Sequence, residues 1–480
     1  MNTSVLLHHS AASRLLFYSF LMLCFWLPLP LGSNRVWAWS MMEFWVFSLG
    51  ALWCVAYYFD QVHIPKAFWK ARWWLGMFLL IPLWSFLQSL PLSFHVLEWL
   101  SPSAVEVYKN AGLSQGALSL DPVSSKIFAV KSLAIIVGAY LTLLLINTEH
   151  RLRQFIMVIV ASGVFQAVYG ALMTLSGLEY GFFIEKEHYR GVATGTFINR
   201  NHLAGYLEMC LALGIGLMLA ESVVHHGKNW RAKARSMAQI LLSRKIRLRL
   251  FLAIMVIALV LTKSRMGNTA FFLSLSLGGI LYLYIGYKRY LAGRQTHPVS
   301  RSAGILFVSL LVVDVFIVGA WFGIDRVVDR VENTSFASEN RDEINKYALL
   351  MIADYWKTGT GGGSFYSSFP AYKGLDIGMS YDHAHNDYLQ FTLELGLPMM
   401  ALTAILVLSV VMLALRVMWI RRNLLFTGCA FAVVMGVTSI LLHSFVDFNL
   451  QIPANGFLFM QLLCLPWICL YLNDNHFHKR

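Results

Sequence analysis

Apolar positions in this chain come in long blocks, and the polar positions between them are short and clustered. Runs of about 18 or more apolar residues recur from end to end, the length a helix needs to cross a bilayer. We count about twelve, near 14–32, 36–58, 73–90, 127–147, 153–176, 201–221, 248–264, 267–287, 302–323, 388–416, 424–446 and 454–472. The pattern predicts an all-α polytopic membrane protein, a single integral membrane domain over 1–480. Three connections stand out: 91–126, 177–200 and, longest, 324–387, which has room for short helices of its own. No internal repeat or low-complexity tract is visible.

Composition agrees. Hydrophobic residues make up 58% and charged residues 13%, against roughly 45–50% and about 25% in a soluble domain. A large soluble helical core would need far more polar surface. The six cysteines all fall inside expected spans without paired spacing, so they read as small packing groups rather than disulfide or metal ligands. The first run, Leu15 to Leu31, holds Pro28 and Pro30 and lacks a small-residue exit, so it reads as a retained helix rather than a cleaved signal.

Charge then orients the bundle. With a cytoplasmic N-terminus, the short inner loops collect Lys66, Lys70 and Arg72, then Arg151 and Arg153, then eight cations between Lys228 and Arg249, with few acids beside them. That is the positive-inside arrangement. Both termini are then cytoplasmic and the long connections lie outside. The net charge of +13 is mostly topology and does not imply nucleic acid; 228–249 reads as a solvated loop touching anionic lipid.

Polar residues at membrane depth are costly, so each is a functional candidate. In "YRGVATGTFINRNHLAGYLEM" (189–209), Arg190 and Arg200 lie in the loop, and Asn199, Asn201 and His202 at a helix entry; Asn201, Gly205 and Glu208 share a face. "LTKSRMGN" (261–268) holds Lys263 and Arg265 in a tight outer turn without an acid nearby. Arg341 precedes a helical pattern that ends in Gly359-Thr360-Gly361-Gly362-Gly363, readable as a flexible turn or as a weak phosphate cradle. "HAHNDYLQFTLELG" (383–396) sets His383, His385 and Asn386 at the mouth of an apolar segment, with Asn386, Gln390 and Glu394 as one polar stripe. In "HSFVDFNLQIPANG" (443–456), His443 and Asp447 are spaced to share a helix face. Outer arginines beside a candidate base fit a lipid-linked diphosphate substrate: guanidinium groups hold the diphosphate by forked hydrogen bonds, and His385 takes the acceptor hydroxyl's proton. Asp382, His383 and His385 could make at most a weak metal site, and our reading assigns no metal.

Five blocks, in this order, resemble the O-antigen ligase and polymerase superfamily: "GTFINRNHLAGY", "SRMG", "TGTGGGSF", "HNDYLQFTLELGLP" and "HSFVDFNLQIPAN". The resemblance covers about 189–456. It implies a bacterial inner-membrane enzyme that transfers a glycan from undecaprenyl diphosphate on the periplasmic face without metal, nucleotide or other cofactor. By motif position His385 matches the essential histidine, Arg190 and Arg265 the diphosphate arginines, and Arg341 an arginine of the large loop. The family block reads Asn-Pro-Asn where this chain has Asn199-Arg200-Asn201, which leaves Arg190 and Arg200 as alternatives. The acceptor stays open between lipid A-core, a second lipid-linked glycan and a protein hydroxyl. A transporter or flippase, to which Asp314 in the ninth span would belong, and a non-catalytic assembly partner are the competing classes.

Overall fold

The computed structural model describes residues 10–182, 184–221, 244–294, 341–374, 377–378 and 380–473, and of Arg244, Arg341 and Asp342 the backbone alone. The expected span 302–323 with Asp314, and most of the basic stretch 228–249, lie outside the described residues. What is described is an all-α polytopic membrane protein. In chain order the helices are α1 (Ala11–Trp26), α2 (Val36–Tyr58), α3 (Lys66–Phe78), α4 (Leu80–Gln88), α5 (Phe94–Leu100), α6 (Pro102–Asn110), α7 (Pro122–Leu145) and α8 (Glu149–Leu175). A two-residue hairpin, β1 (Tyr180–Gly181) and β2 (Ile184–Glu185), leads to α9 (Arg200–Ala220), α10 (Arg244–Leu261), α11 (Arg265–Leu291), α12 (Arg341–Tyr355), α13 (Phe365–Ser368), α14 (Asp387–Leu395), α15 (Leu397–Ile420), α16 (Leu424–His443) and α17 (Pro453–Tyr471). Among the described residues, eight of these are long and apolar enough to cross a membrane: α2, α7, α8, α9, α11, α15, α16 and α17.

Burial sorts centre from periphery. In α9, 94% of the spanning window is buried, in α15 only 22%. Ile405, Leu408 and Met412 of α15 accordingly present bare apolar surface, as Phe44 and Leu52 do on α2. Between helices in lipid the hydrophobic effect offers little, so close packing must hold the centre. Small residues make that possible: a Cβ on Gly216 of α9 would collide with the Gly428 carbonyl of α16, and one on Gly428 with the Gly216 carbonyl.

Two expected spans are broken. The run at 73–90 is α3 and α4, meeting at Leu79. The run at 388–416 is divided by Gly396, whose φ is +84° and whose missing side chain leaves room for the Lys357 carbonyl. Only glycine adopts that backbone without strain, and Pro398 just beyond cannot donate to a continuing helix. The result is a nine-residue α14, too short to cross, standing at the head of the spanning helix α15.

The two long connections are not independent of each other. Leu97, Val105 and Leu118 from the first share one apolar core with Ile344, Met351 and Phe365 from the described part of the second. Leu393 of α14 belongs to the same core. At the opposite end Arg151 clamps α8 to α1, donating to the Ser13 carbonyl at 3.1 Å and the Ser13 hydroxyl at 2.9 Å.

Candidate active site

Three asparagine or serine caps set the entries to this end. Asn199 Oδ1 accepts from the Asn201 N–H at 2.9 Å, Ser264 Oγ from Gly267 N–H at 3.2 Å, and Asn386 Oδ1 from Tyr388 and Leu389 N–H at 3.0 and 3.2 Å. Each satisfies a first-turn donor the helix leaves unpaired. α14 then docks on the C-terminal end of α16: the Asp387 N–H donates to the Ser444 carbonyl at 3.0 Å, and the Tyr388 hydroxyl to Leu441 at 2.6 Å.

The histidines meet at a residue that the sequence patterns do not single out. The Phe448 ring stacks on His383 with centroids 4.1 Å apart, and its surroundings include the edges of His202 at 4.6 Å and His385 at 4.9 Å. His202 belongs to the first turn of α9, so Phe448 joins the 383–385 segment to the helix that begins at Arg200. His385 sits at φ +51°, a left-handed backbone uncommon for a side-chain-bearing residue and often kept at functional positions. His383 is bonded to Gln390 through Nδ1. Burial, then the neighbouring His202, pushes its pKa down to about 3, with the Gln390 hydrogen bond opposing. It is a neutral ring at ordinary pH.

Beneath lies a buried carboxylate network. Asp447 Oδ1 accepts from the Phe448 N–H at 2.8 Å and lies 3.6 Å from His202 Nε2. Burial alone would raise the Asp447 carboxyl; the imidazoles of His202, His443 and His385 outweigh it and hold the group well below the usual carboxylate range. Asp387 Oδ2 accepts from the Ser444 hydroxyl at 2.8 Å and the Leu450 N–H at 3.2 Å. Burial still pushes its pKa up to about 8. Glu208 accepts from Ser439 at 2.6 Å and lies 2.8 Å from His443 Nδ1. The helix α16 ends at His443, so Asp447 stands beyond it: the expected one-face pairing of His443 with Asp447 is corrected to Glu208–His443 and Asp447–His202. Among the described residues His202 Nε2, His443 Nε2, Asp387 Oδ1 and Asp447 Oδ2 are buried without a hydrogen-bond partner.

The cations gather around the entries of α9 and α11. Lys263 Nζ donates to the Gly191 carbonyl at 3.1 Å and Ala193 N–H to Leu261 at 3.0 Å, which ties the 261–265 turn to the 186–194 loop. Arg265 opens α11 and is exposed. Arg200 lies over the Tyr189 ring at 5.7 Å, its Nε buried without a hydrogen-bond partner among the described residues. Arg190 instead is 60% exposed and engaged with Glu185 at 2.7 Å and the Lys186 carbonyl at 2.8 Å. The Arg341 side chain is outside the description.

The glycine run is not a cradle. Its N–H groups are spent inside the protein: Gly359 on Tyr355, Thr360 on Leu393, Gly361 on the Glu394 carbonyl, Gly362 on Gln88 Oε1 and Gly363 on Glu394 Oε2. Gly361, at φ +102° against Ser119 and Ser125, shows why glycine is needed there. Gln390 and Glu394 of the polar stripe are therefore joined to this turn, with Gln390 Nε2 donating to Glu394 Oε1 at 3.0 Å. Among the described residues no three His, Cys, Asp or Glu side chains gather so as to hold a metal.

Residues 250–404 match the family model described as O-antigen ligase. Over that segment, about a third of the chain, the protein is similar to the O-antigen ligase superfamily. It takes in Arg265, Arg341, His383, His385, Gln390 and Glu394, whereas Arg200, His202, Glu208, His443, Asp447 and Phe448 lie outside it. No curated protein matches the chain. Phe448 and the Glu208–His443 pair are what sequence reasoning left out; both join segments more than 60 residues apart, and no local spacing signals them.

Proposed function

We propose that this O-antigen ligase superfamily protein transfers a glycan from an undecaprenyl-diphosphate-linked donor to an acceptor hydroxyl at the periplasmic face of the bacterial inner membrane. The observation that carries the reading is Phe448, whose contacts with His202, His383 and His385 join the candidate base to the end of α9 that bears Arg200. His385 takes the proton of the acceptor hydroxyl as its oxygen bonds to the anomeric carbon. The bond from that carbon to the diphosphate breaks, and its electron pair leaves with undecaprenyl diphosphate. Guanidinium groups neutralise the charge that develops there. Arg200 and Arg265 suit that task better than Arg190, which Glu185 already neutralises. Arg341 is kept as a further diphosphate ligand. Asn199, Asn201 and Asn386 set the helix entries, while Gln390 and Glu394 fix His383.

No metal is assigned, so EDTA should leave transfer intact. The positive-inside loops support the periplasmic side, and impermeant thiol labelling of Asp382→Cys would check it. Membranes containing the chain should move a labelled glycan from its lipid diphosphate onto added lipid A-core. Transfer only to a second lipid-linked glycan would make the protein a polymerase, and transfer to a protein hydroxyl an oligosaccharyltransferase. Product formation unchanged by His385→Ala would remove the reading.

A further inference from the structure

At the end of the bundle opposite the histidines, α11 and α15 bring a group of cations together. Arg289, in the last turn of α11, is 8% exposed and donates to the Met418 carbonyl of α15 at 2.9 Å. Its Nε is buried and has no hydrogen-bond partner among the described residues. Arg422, just beyond α15, and Arg294, just beyond α11, both act on it through space. Lys288 lies over the Tyr284 ring at 5.6 Å, and Arg294 over the Trp419 ring at 5.3 Å. No Asp or Glu occurs in 265–294 or 397–443. Glu149 comes to this end but turns a carboxylate oxygen to Asn423 at 3.3 Å. Lys288, Arg289, Arg294 and Arg422 therefore make no ion pair among the described residues. Like charges gathered in this way repel, and a buried one is costly without a counter-charge; an anion with several acceptor oxygens offsets both and suits the forked guanidinium.

Depth and surface select the carrier of that anion. Along α11, Arg265 and Arg289 stand about 36 Å apart at the helical rise, against a hydrocarbon core of about 30 Å. Arg289 is thus at headgroup level, as the ring of aromatic residues around it (Tyr284, Tyr287, Tyr290 and Trp419) also requires. Below it, Leu273, Leu277, Ile280, Tyr284, Tyr287 and Leu291 are all exposed and follow one another at steps of three and four. They form one stripe on α11 that ends beside Lys288. An apolar track capped by cations fits an acyl chain beneath a phosphate, whereas a soluble anion would use the cations alone. The stretch 228–249, expected to touch anionic lipid, supplies none of these residues. Only 33% of the spanning window of α11 is buried, so a ligand that bridges it to α15 has something to stabilise.

We propose that the ends of α11 and α15 form a seat for one anionic phospholipid of the leaflet opposite the histidines. Its phosphate is held by Arg289 with Lys288, Arg294 and Arg422, its acyl chain lies on the α11 stripe, and the lipid fastens α11 to α15. The proposal does not depend on the glycosyl-transfer reading. The test uses the full chain in phosphatidylcholine nanodiscs, with a phosphatidylglycerol that carries a photoreactive group on one acyl chain as the probe. Crosslinks should fall on the exposed stripe of α11 and the last turns of α15. Arg289→Gln should reduce them by about tenfold or more, the range for a lost hydrogen bond to a charged group. The double variant Lys288→Gln, Arg294→Gln changes only exposed side chains and should also reduce them, which keeps the test decisive should Arg289→Gln not fold. Adding phosphatidylglycerol to the nanodisc should raise the melting temperature of the wild type by mass action, and that of either variant by less. Unlabelled phosphatidylglycerol should displace the probe. Equal displacement by phosphatidylethanolamine overturns the proposal, since the surface would then hold ordinary bilayer lipid. Displacement by inorganic phosphate overturns the lipid source and leaves a site for a soluble phosphate. Crosslinks elsewhere, or unchanged in both variants, overturn it outright.

Discussion

At the C-terminal end of α14, both Glu394 carboxylate oxygens accept hydrogen bonds, from Gln390 and from the Gly363 N–H. At its N-terminal end Asp387 has one oxygen bonded twice and the other bonded to nothing among the described residues, and Asp447 beside it has one oxygen bonded to the Phe448 N–H and the other without a hydrogen-bond partner among them. Nine residues thus hold two kinds of buried carboxylate. A fully satisfied polar network rigidifies the fold around it, whereas a buried group without a partner calls for a reason. The Glu394 end locks the glycine turn, Gln88 and the two long connections in place. The Asp387 end, with His202, His443 and Asp447, borders the histidines and the cations. The polar stripe read from the sequence is half scaffold and half site.

The largest effect should come from the site half. His385→Ala should lower glycan transfer by about 10²–10⁴, the usual contribution of a positioned general base, while the purified protein melts within a few degrees of wild type. A comparable loss in melting temperature would reassign His385 to structure. Next come the cations. Arg200→Ala and Arg265→Ala should each reduce kcat/KM for the lipid-linked donor by about 10²–10³, the range measured when one fixed donor to a developing charge is removed. Arg190→Ala should change it less than about threefold, because an exposed pair of this kind is worth about 0–1 kcal/mol. If Arg190→Ala is the damaging variant, the roles of the two arginines are reversed.

The scaffold half should answer differently. Glu394→Ala leaves the Gly363 N–H without its acceptor and the Gln390 amide with His383 Nδ1 alone, at about 1–3 kcal/mol for each buried donor left unpaired. The expected result is a lowered melting temperature, with activity recovered in proportion to the folded fraction. Activity lost beyond that fraction would move Glu394 into the site.

Why the sequence showed the bundle and only part of the site follows from the range of each signal. Span length and apolarity are local, and helices lie on every expected span within the described residues. The break at Gly396 was present as Gly-Leu-Pro, but hydropathy runs smoothly across it. The end of α16 was hidden for the same reason, since Ser444-Phe445-Val446 continues the apolar run past His443. The Glu208–His443 and His202–Asp447 pairs join α9 to segments more than 230 residues later, and neither helix carries a sign of the other. The glycine run misled because its free N–H groups in sequence become bonded ones in the fold.

The smallest effect tests the comparison most finely, through opposite slopes of stability against pH. His383 has its folded pKa pushed down to about 3, below the roughly 6.5 of an unfolded histidine. Between those values the unfolded chain binds a proton that the folded chain does not, so His383 makes stability fall as pH falls through that window. Asp387, pushed up to about 8 from roughly 3.9 unfolded, binds its proton in the folded state first, so it makes stability fall as pH rises from about 4 to 8. His383→Gln should therefore flatten the acid side of a melting-temperature profile, and Asp387→Asn the alkaline side. A pair of variants that move the same side, or neither, would mean that these two groups do not differ in protonation as their surroundings require, and the division of α14 into a satisfied end and an open one would lose its electrostatic support.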